Sequence, residues 1–190
     1  VKARRKTWKT AKERISISER PGRVSGKKEV LHWEGDTVES KGHSGGIATL
    51  VEMKTKYSLI RKVEDKSAGT MKKVIVKSFS NCPALIRSLT VDNGTEFALH
   101  DEISKELNTT VYFANAYAPW QRGLNENTNG LVRRFYPKGT DFNKVSERDL
   151  LKTQDMLNNR PRKCLGFMTP KEALIKEVFN KGIVQYLSLI

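Results

Sequence analysis

Three acids in this sequence stand where a carboxylate could do chemistry: Asp36, Asp92 and Glu126. Asp92 closes the apolar run Ile86-Arg87-Ser88-Leu89-Thr90-Val91 and is followed at once by Asn93-Gly94. Gly94 permits a sharp exit from a strand, so the carboxylate falls at the rim of a sheet and not among its buried residues. Asp36 holds the corresponding place in Val30-Leu31-His32-Trp33-Glu34-Gly35-Asp36-Thr37-Val38-Glu39, and Glu34 shares its face. Between Asp92 and Glu126 lie 33 residues, enough for a helix, a strand and the start of another helix, so both carboxylates can reach one point. Glu126 is ringed by Gln121, Arg122, Asn125, Asn127, Thr128 and Asn129, with Leu124 and Leu131 as its few anchors and Gly123 and Gly130 on either side. Such a segment is poor in helix propensity for an ordinary core element, so something besides packing selects it.

A lone Asp-Asn-Gly is more often a turn whose Asp satisfies neighbouring amides, and a lone strand-end Asp is equally weak. The set of three carries the argument. Carboxylates without clustered His or Cys favour hard, oxygen-seeking cations, Mg²⁺ or Mn²⁺, over zinc. Two such ions, about 4 Å apart, activate a water or a 3′-hydroxyl and stabilise the departing oxygen of a phosphodiester.

The elements that must position these acids follow from pattern. Strands are expected over Val30–Glu39, Ile47–Met53 and Tyr57–Val63, separated by the turn-prone Ser40–Gly46 and by Lys54-Thr55-Lys56, which makes an antiparallel meander. Met71, Val74, Ile75 and Phe79 repeat at helical spacing over Ala68–Ser80, with Ser67 as its cap. The strand ending at Val91 comes next, then a helix over Phe97–Leu107, a strand over Thr110–Ala114, and a helix from Trp120 to Phe135 with Pro119 in its first turn. Helices over Glu147–Asn158 and Pro170–Phe179 complete the chain. Strands alternating with helices in the second half demand an α/β layer, and the opening meander makes the sheet mixed. The expected fold is therefore a mixed five-stranded sheet flanked by helices. Residues 1–28 are expected to form a basic arm and linker, 29–178 the domain and 179–190 a tail.

The chain has 190 residues and a formal net charge of +14, which points to a polyanionic partner, since clustered Lys and Arg release counterions from a phosphate backbone. Between Val1 and Lys28 the cationic residues exceed the acids by nine, an excess that is either solvated or laid along DNA phosphates. Cys82 and Cys164 lack the paired spacing of a zinc site and read as ordinary thiols of a reducing compartment. No apolar run approaches the roughly 18 residues that span a bilayer, so the protein is expected inside the cell, in the cytoplasm and on the nucleoid. The first residue is Val1 and not Met, so an upstream portion is expected to be missing or removed.

Five segments together carry a resemblance: Trp33-Glu34-Gly35-Asp36, Leu50-Val51-Glu52-Met53-Lys54, Val91-Asp92-Asn93-Gly94-Thr95-Glu96-Phe97, the block from Ala118 through Pro119-Trp120-Gln121-Arg122-Gly123-Leu124-Asn125-Glu126 to Leu131, and Leu157-Asn158-Asn159-Arg160-Pro161-Arg162-Lys163. They resemble the catalytic core of D-D-E insertion-sequence transposases, of the insertion-sequence-thirty family, over roughly Ile17 to Leu174. The resemblance implies a ribonuclease-H-like fold shared with retroviral integrases, with Asp36, Asp92 and Glu126 as ligands of Mg²⁺ or Mn²⁺, two ions in all. It implies cleavage of double-stranded DNA at transposon ends and transfer of the freed 3′-hydroxyl into a target, by a homo-oligomer assembled on DNA. Full-length relatives carry an N-terminal helix-turn-helix that recognises the terminal repeats, which these 190 residues lack.

Arg122 and Asn129 are expected on substrate phosphates, with Arg133, Arg134, Arg160, Arg162 and Lys163 as further backbone contacts, each weighed against a plain solvated charge. Trp120 is expected to pack in the core. His43 lies in the Gly-rich turn after the Asp36 strand and is read as a surface residue or a neighbour of the site; Glu34 and Glu96 are read as surface or supporting acids. Two other functions share the same charge pattern or metal site: a DNA-binding remnant that no longer cuts, and a ribonuclease-H-like nuclease without strand transfer.

Overall fold

A computed structural model describes residues 14–43, 45–115, 118, 121 and 123–183. Trp120 and Arg122 lie outside the described residues, as does the His43 side chain. The meander expected from pattern is β2 (His32–Glu39), β3 (Gly46–Glu52) and β4 (Ser58–Val63), antiparallel throughout. Strands β5 (Ser88–Val91) and β6 (Thr110–Phe113) join it in parallel, β5 beside β2 and β6 beside β5.

The sheet has six strands and not five. Its sixth, β1 (Ile15–Ser16), pairs in parallel with β6 and gives the order β1-β6-β5-β2-β3-β4. Two residues are too few to show a period, so only pairing with β6 makes this strand visible. Much of the stretch read as arm and linker is folded onto the sheet. Ser16 and Glu19 form a reciprocal cap, the short helix α1 (Gly22–Ser25) follows, and Ile17 and Val24 are buried.

The two faces of the sheet separate by residue parity. Trp33, Ala48, Leu50, Leu89 and Val91 meet helices α2 (Ala68–Phe79), α3 (His100–Leu107) and α6 (Pro170–Asn180) through Met71, Ile75, Phe79, Ile103, Leu107, Leu174 and Val178. Gly35 belongs to this face, where a Cβ would press at 3.3 Å on Leu50, Leu89 and Val91. Its neighbours Glu34 and Asp36 therefore face the other side. There α4 (Gly123–Val132) and α5 (Glu147–Asn158) pack through Val132, Leu150 and Leu157 on Val38, Ile47 and Ile60, and Leu124 packs on Val51. Helices α2, α5 and α6 begin on caps from Ser67, Ser146 and Thr169.

Strand β4 ends the sheet, and side chains of α5 cover its open edge. Asn158 accepts from the Ser58 amide at 2.9 Å and donates to the Ser58 carbonyl at 2.8 Å, while Gln154 accepts from the Ile60 amide at 3.0 Å. The Leu157–Lys163 segment thus begins as structure, whatever its cations do.

Candidate metal and nucleic-acid site

The register of β2 and β5 places the first two acids. Glu34 stands opposite Thr90 in the parallel pair, so two residues further Asp36 and Asp92 come side by side on one face. Both are half-buried. The Gly94 amide donates to Asp92 Oδ1 at 2.8 Å, and Asn93 Nδ2 donates to the Ala114 carbonyl at 2.7 Å, so the turn after β5 is tied to the end of β6. A Cβ at Gly94 would lie 2.2 Å from Glu96 Oε2 and 2.8 Å from Asp92 Oδ1, so any side chain there would displace those carboxylates. Glu96 thus leans over the Asp92 turn, and its Oε1 accepts from the Thr37 hydroxyl at 3.4 Å. Nothing in the local pattern distinguishes this position from that of a surface acid.

Helix α4 runs along β2. Asn129 donates to Asp36 Oδ2 at 2.8 Å and accepts from the Thr49 hydroxyl, also at 2.8 Å, while one turn on Arg133 donates to the Glu39 carbonyl at 3.0 Å. Glu126 lies one turn before Asn129, on the same flank of the helix. It is exposed. Among the described residues no three of His, Cys, Asp and Glu lie close enough together to hold a metal ion. The register makes Asp36 and Asp92 neighbours, Asn129 ties α4 to Asp36, and Glu126 is not drawn into one cluster with the two aspartates.

Beneath the two aspartates lies a polar layer that sequence reasoning missed. Arg20 reaches in from the turn after β1 and donates to the Thr90 hydroxyl at 3.0 Å. Glu34 is 1% exposed and Asn125 is 0% exposed. Among the described residues, Glu34 Oε2 and both polar atoms of the Asn125 side chain have no hydrogen-bond partner. Burial raises the Glu34 carboxyl above the ordinary glutamate range, against the pull of Lys27 and Arg20. Asn125 and Asn129, four apart on a glycine-flanked helix, were the available signal.

The expected DNA contacts divide. Arg134, Arg160 and Lys163 are exposed. Arg133 is occupied by Glu39 and by the carbonyls of Tyr136 and Pro137, and Arg162 donates to the Leu157 carbonyl at 3.3 Å. Asn129 is engaged with Asp36 and Thr49. The histidines separate too. His32 is buried against Ser88 at 2.7 Å, where burial lowers its pKa, and His100 is buried with its ring edge-on to Phe113. Cys82 is buried, which pushes its thiol up to about 11, and Cys164 is exposed.

No protein-family model matches the chain. Over 175 residues it is 41% identical to a transposase of insertion sequence element IS4351 from Bacteroides fragilis, covering 92% of this chain and 53% of that protein. It is 40% identical over 163 residues to the InsI transposase of insertion sequence element IS30C from Escherichia coli, covering 85% of this chain and 42% of that one. The chain is a homologue of insertion-sequence transposases. It spans about half the length of the curated relatives it matches. In structure it resembles the catalytic core domain of BIV integrase, with a TM-score of 0.62 at 20% identity, covering 80% of this chain and 98% of that domain. The integrase-core likeness is one of fold, and the ribonuclease-H-like architecture expected from the resemblance is the one found. No helix among the described residues is long and apolar enough to cross a membrane.

Proposed function

We propose that this chain is the catalytic core of a transposase of the insertion-sequence-thirty type, cutting double-stranded DNA at transposon ends and joining the freed 3′-hydroxyl to target DNA. The observation that carries the reading is the β2–β5 register, which sets Asp36 beside Asp92 on the face that α4 covers. An all-oxygen donor set at a sheet rim suits Mg²⁺ or Mn²⁺. Asp36 and Asp92 would hold the ions, and Glu126 is the third acid proposed to complete the set. Bound there, such ions lower the pKa of an attacking water or hydroxyl and neutralise charge on the phosphate and the leaving oxygen.

In the first step water adds to phosphorus and the P–O3′ bond breaks, leaving a 3′-hydroxyl and a 5′-phosphate. In the second, that 3′-hydroxyl attacks a target phosphodiester and a new 3′-hydroxyl departs, so no external oxidant or energy source is required. Arg134, Arg160 and Lys163, all exposed, are the cations best available to backbone phosphates, with Arg122, Asn129, Arg133 and Arg162 as further contacts. Two DNA ends must be handled together, so the working form is a homo-oligomer on DNA, in the cytoplasm and at the nucleoid.

The test is strand cleavage and joining on oligonucleotides that carry the element's terminal repeats, with Mn²⁺. D92N and E126Q should each lose at least a hundredfold in cleavage while retaining the fold and most DNA affinity. Metal-dependent cleavage surviving in either variant overturns the assignment. Binding without any cleavage by the unaltered protein indicates the non-cutting remnant, and cleavage without joined product indicates the nuclease.

A further inference from the structure

The turn that carries Asp92 is gripped by a residue from outside the motif. Arg14, the first described residue, donates from Nη1 to the Asn93 carbonyl at 3.2 Å and to Asn93 Oδ1 at 3.1 Å. Its guanidinium carbon stands 4.7 Å over the centre of the Phe113 ring. The contact spans 79 residues of sequence and has a structural cause. Parallel pairing of Ile15 with Tyr112 and Ser16 with Phe113 lays β1 along β6, and this delivers Arg14 to the end of the sheet where β5 and β6 finish. Asn93 is fixed from both sides, because its Nδ2 donates to the Ala114 carbonyl while its oxygens accept from Arg14. The adjacent Gly94 amide in turn holds Asp92 Oδ1.

We infer that Arg14 is a positioning residue for the metal site, acting through Asn93 to fix the direction in which Asp92 presents its carboxylate. The inference rests on Asp92 being a metal ligand as proposed above. Groups that orient a ligand from behind commonly change metal affinity by 10- to 100-fold. Stacking on Phe113 makes arginine the suitable cation, since a planar guanidinium lies flat on a ring while donating at its edge. The same contact that holds Arg14 thus sets the proposed ligand.

The experiment measures Mn²⁺ binding to the protein without DNA, by electron paramagnetic resonance titration, for the unaltered chain, D92N, R14A and R14K. Melting in metal-free buffer checks the fold of each. In parallel, the Mn²⁺ concentration that gives half-maximal cleavage is measured at saturating DNA. R14A should weaken Mn²⁺ binding about tenfold and raise the half-maximal concentration by a similar factor, with the maximal rate nearly unchanged. R14K, which keeps a donor and loses the planar stack, should fall between. Mn²⁺ binding that disappears in D92N but is unaltered in R14A overturns the role of Arg14 alone, leaving it an anchor of the arm. Mn²⁺ binding absent from the unaltered protein, or undiminished in D92N, overturns the metal site and the Arg14 role with it.

Discussion

Two asparagines four residues apart on α4 show how position decides what one side chain is worth. Asn129 is bonded on both sides of its amide, donating to Asp36 and accepting from Thr49. Asn125 is fully buried and its amide meets no hydrogen-bond partner among the described residues. A hydrogen bond to a charged acceptor contributes about 1.5–3 kcal/mol, whereas a buried polar group without a partner costs about 1–3 kcal/mol. N129A should therefore destabilise the fold by about 2 kcal/mol, and N125L, similar in size and apolar, should be neutral or stabilising by about 1 kcal/mol. Urea unfolding of the two variants checks this. A loss in N125L as large as that in N129A would mean that the Asn125 amide has a partner in solution, and that the layer beneath Asp36 and Asp92 is a satisfied network.

Elements are where sequence and structure can be compared directly. The helix over Glu147–Asn158 was legible residue for residue, because Ser146 caps it and its apolar positions keep a helical period. The strand that stops just before Asp92 was equally legible, as an apolar run closed by turn chemistry, whereas Asp36, read as its counterpart, lies inside β2, which runs on to Glu39. Strand β1 was not, because two residues have no period and take their shape from β6. The grip of Arg14 on Asn93 was hidden for the same reason, as a contact across 79 residues leaves no trace in local pattern. Asn158 was read only as part of a motif, yet it closes the edge of β4 with a pair of backbone bonds while Gln154 takes the next amide. Together the two side chains replace a missing strand, and an uncovered edge is a template for pairing with another chain. The double variant Q154A/N158A should lose about 2–4 kcal/mol, at roughly 1–2 kcal/mol for each side chain withdrawn from buried backbone groups. It should also self-associate at concentrations where the unaltered protein does not. Sedimentation velocity at several concentrations reads both states; a double variant of unchanged stability and size distribution would show that the edge needs no cover.

At the scale of the molecule the governing quantity is charge. Under the proposed function the domain brings a polyanion to a site built from carboxylates, and Asp36, Asp92 and Glu126 repel DNA until cations offset them. The chain supplies cations in Arg14 at the Asp92 turn, in Arg20 at Thr90, in the exposed Arg134 and, by sequence, in Lys2, Arg4, Arg5, Lys6, Lys9 and Lys12 upstream. β1 is pinned to β6 and Arg14 to the Asp92 turn, so residues 1–13 precede in sequence a segment fixed beside the proposed catalytic rim. Affinity for duplex DNA falls with salt at a logarithmic slope of about 0.9 for each phosphate neutralised. If the arm follows the backbone, removing residues 1–12 should lower the slope by about 3–5 and weaken binding most at low salt. Metal affinity in the DNA-free protein should stay the same, since Arg14 remains. Titration of one duplex at four salt concentrations, with and without residues 1–12, gives the slopes. An unchanged slope would place the arm in solvent and leave the folded domain alone to hold the DNA. A lower slope with weakened Mn²⁺ binding would instead mean that the arm helps seat Arg14, coupling DNA capture to the geometry of Asp92.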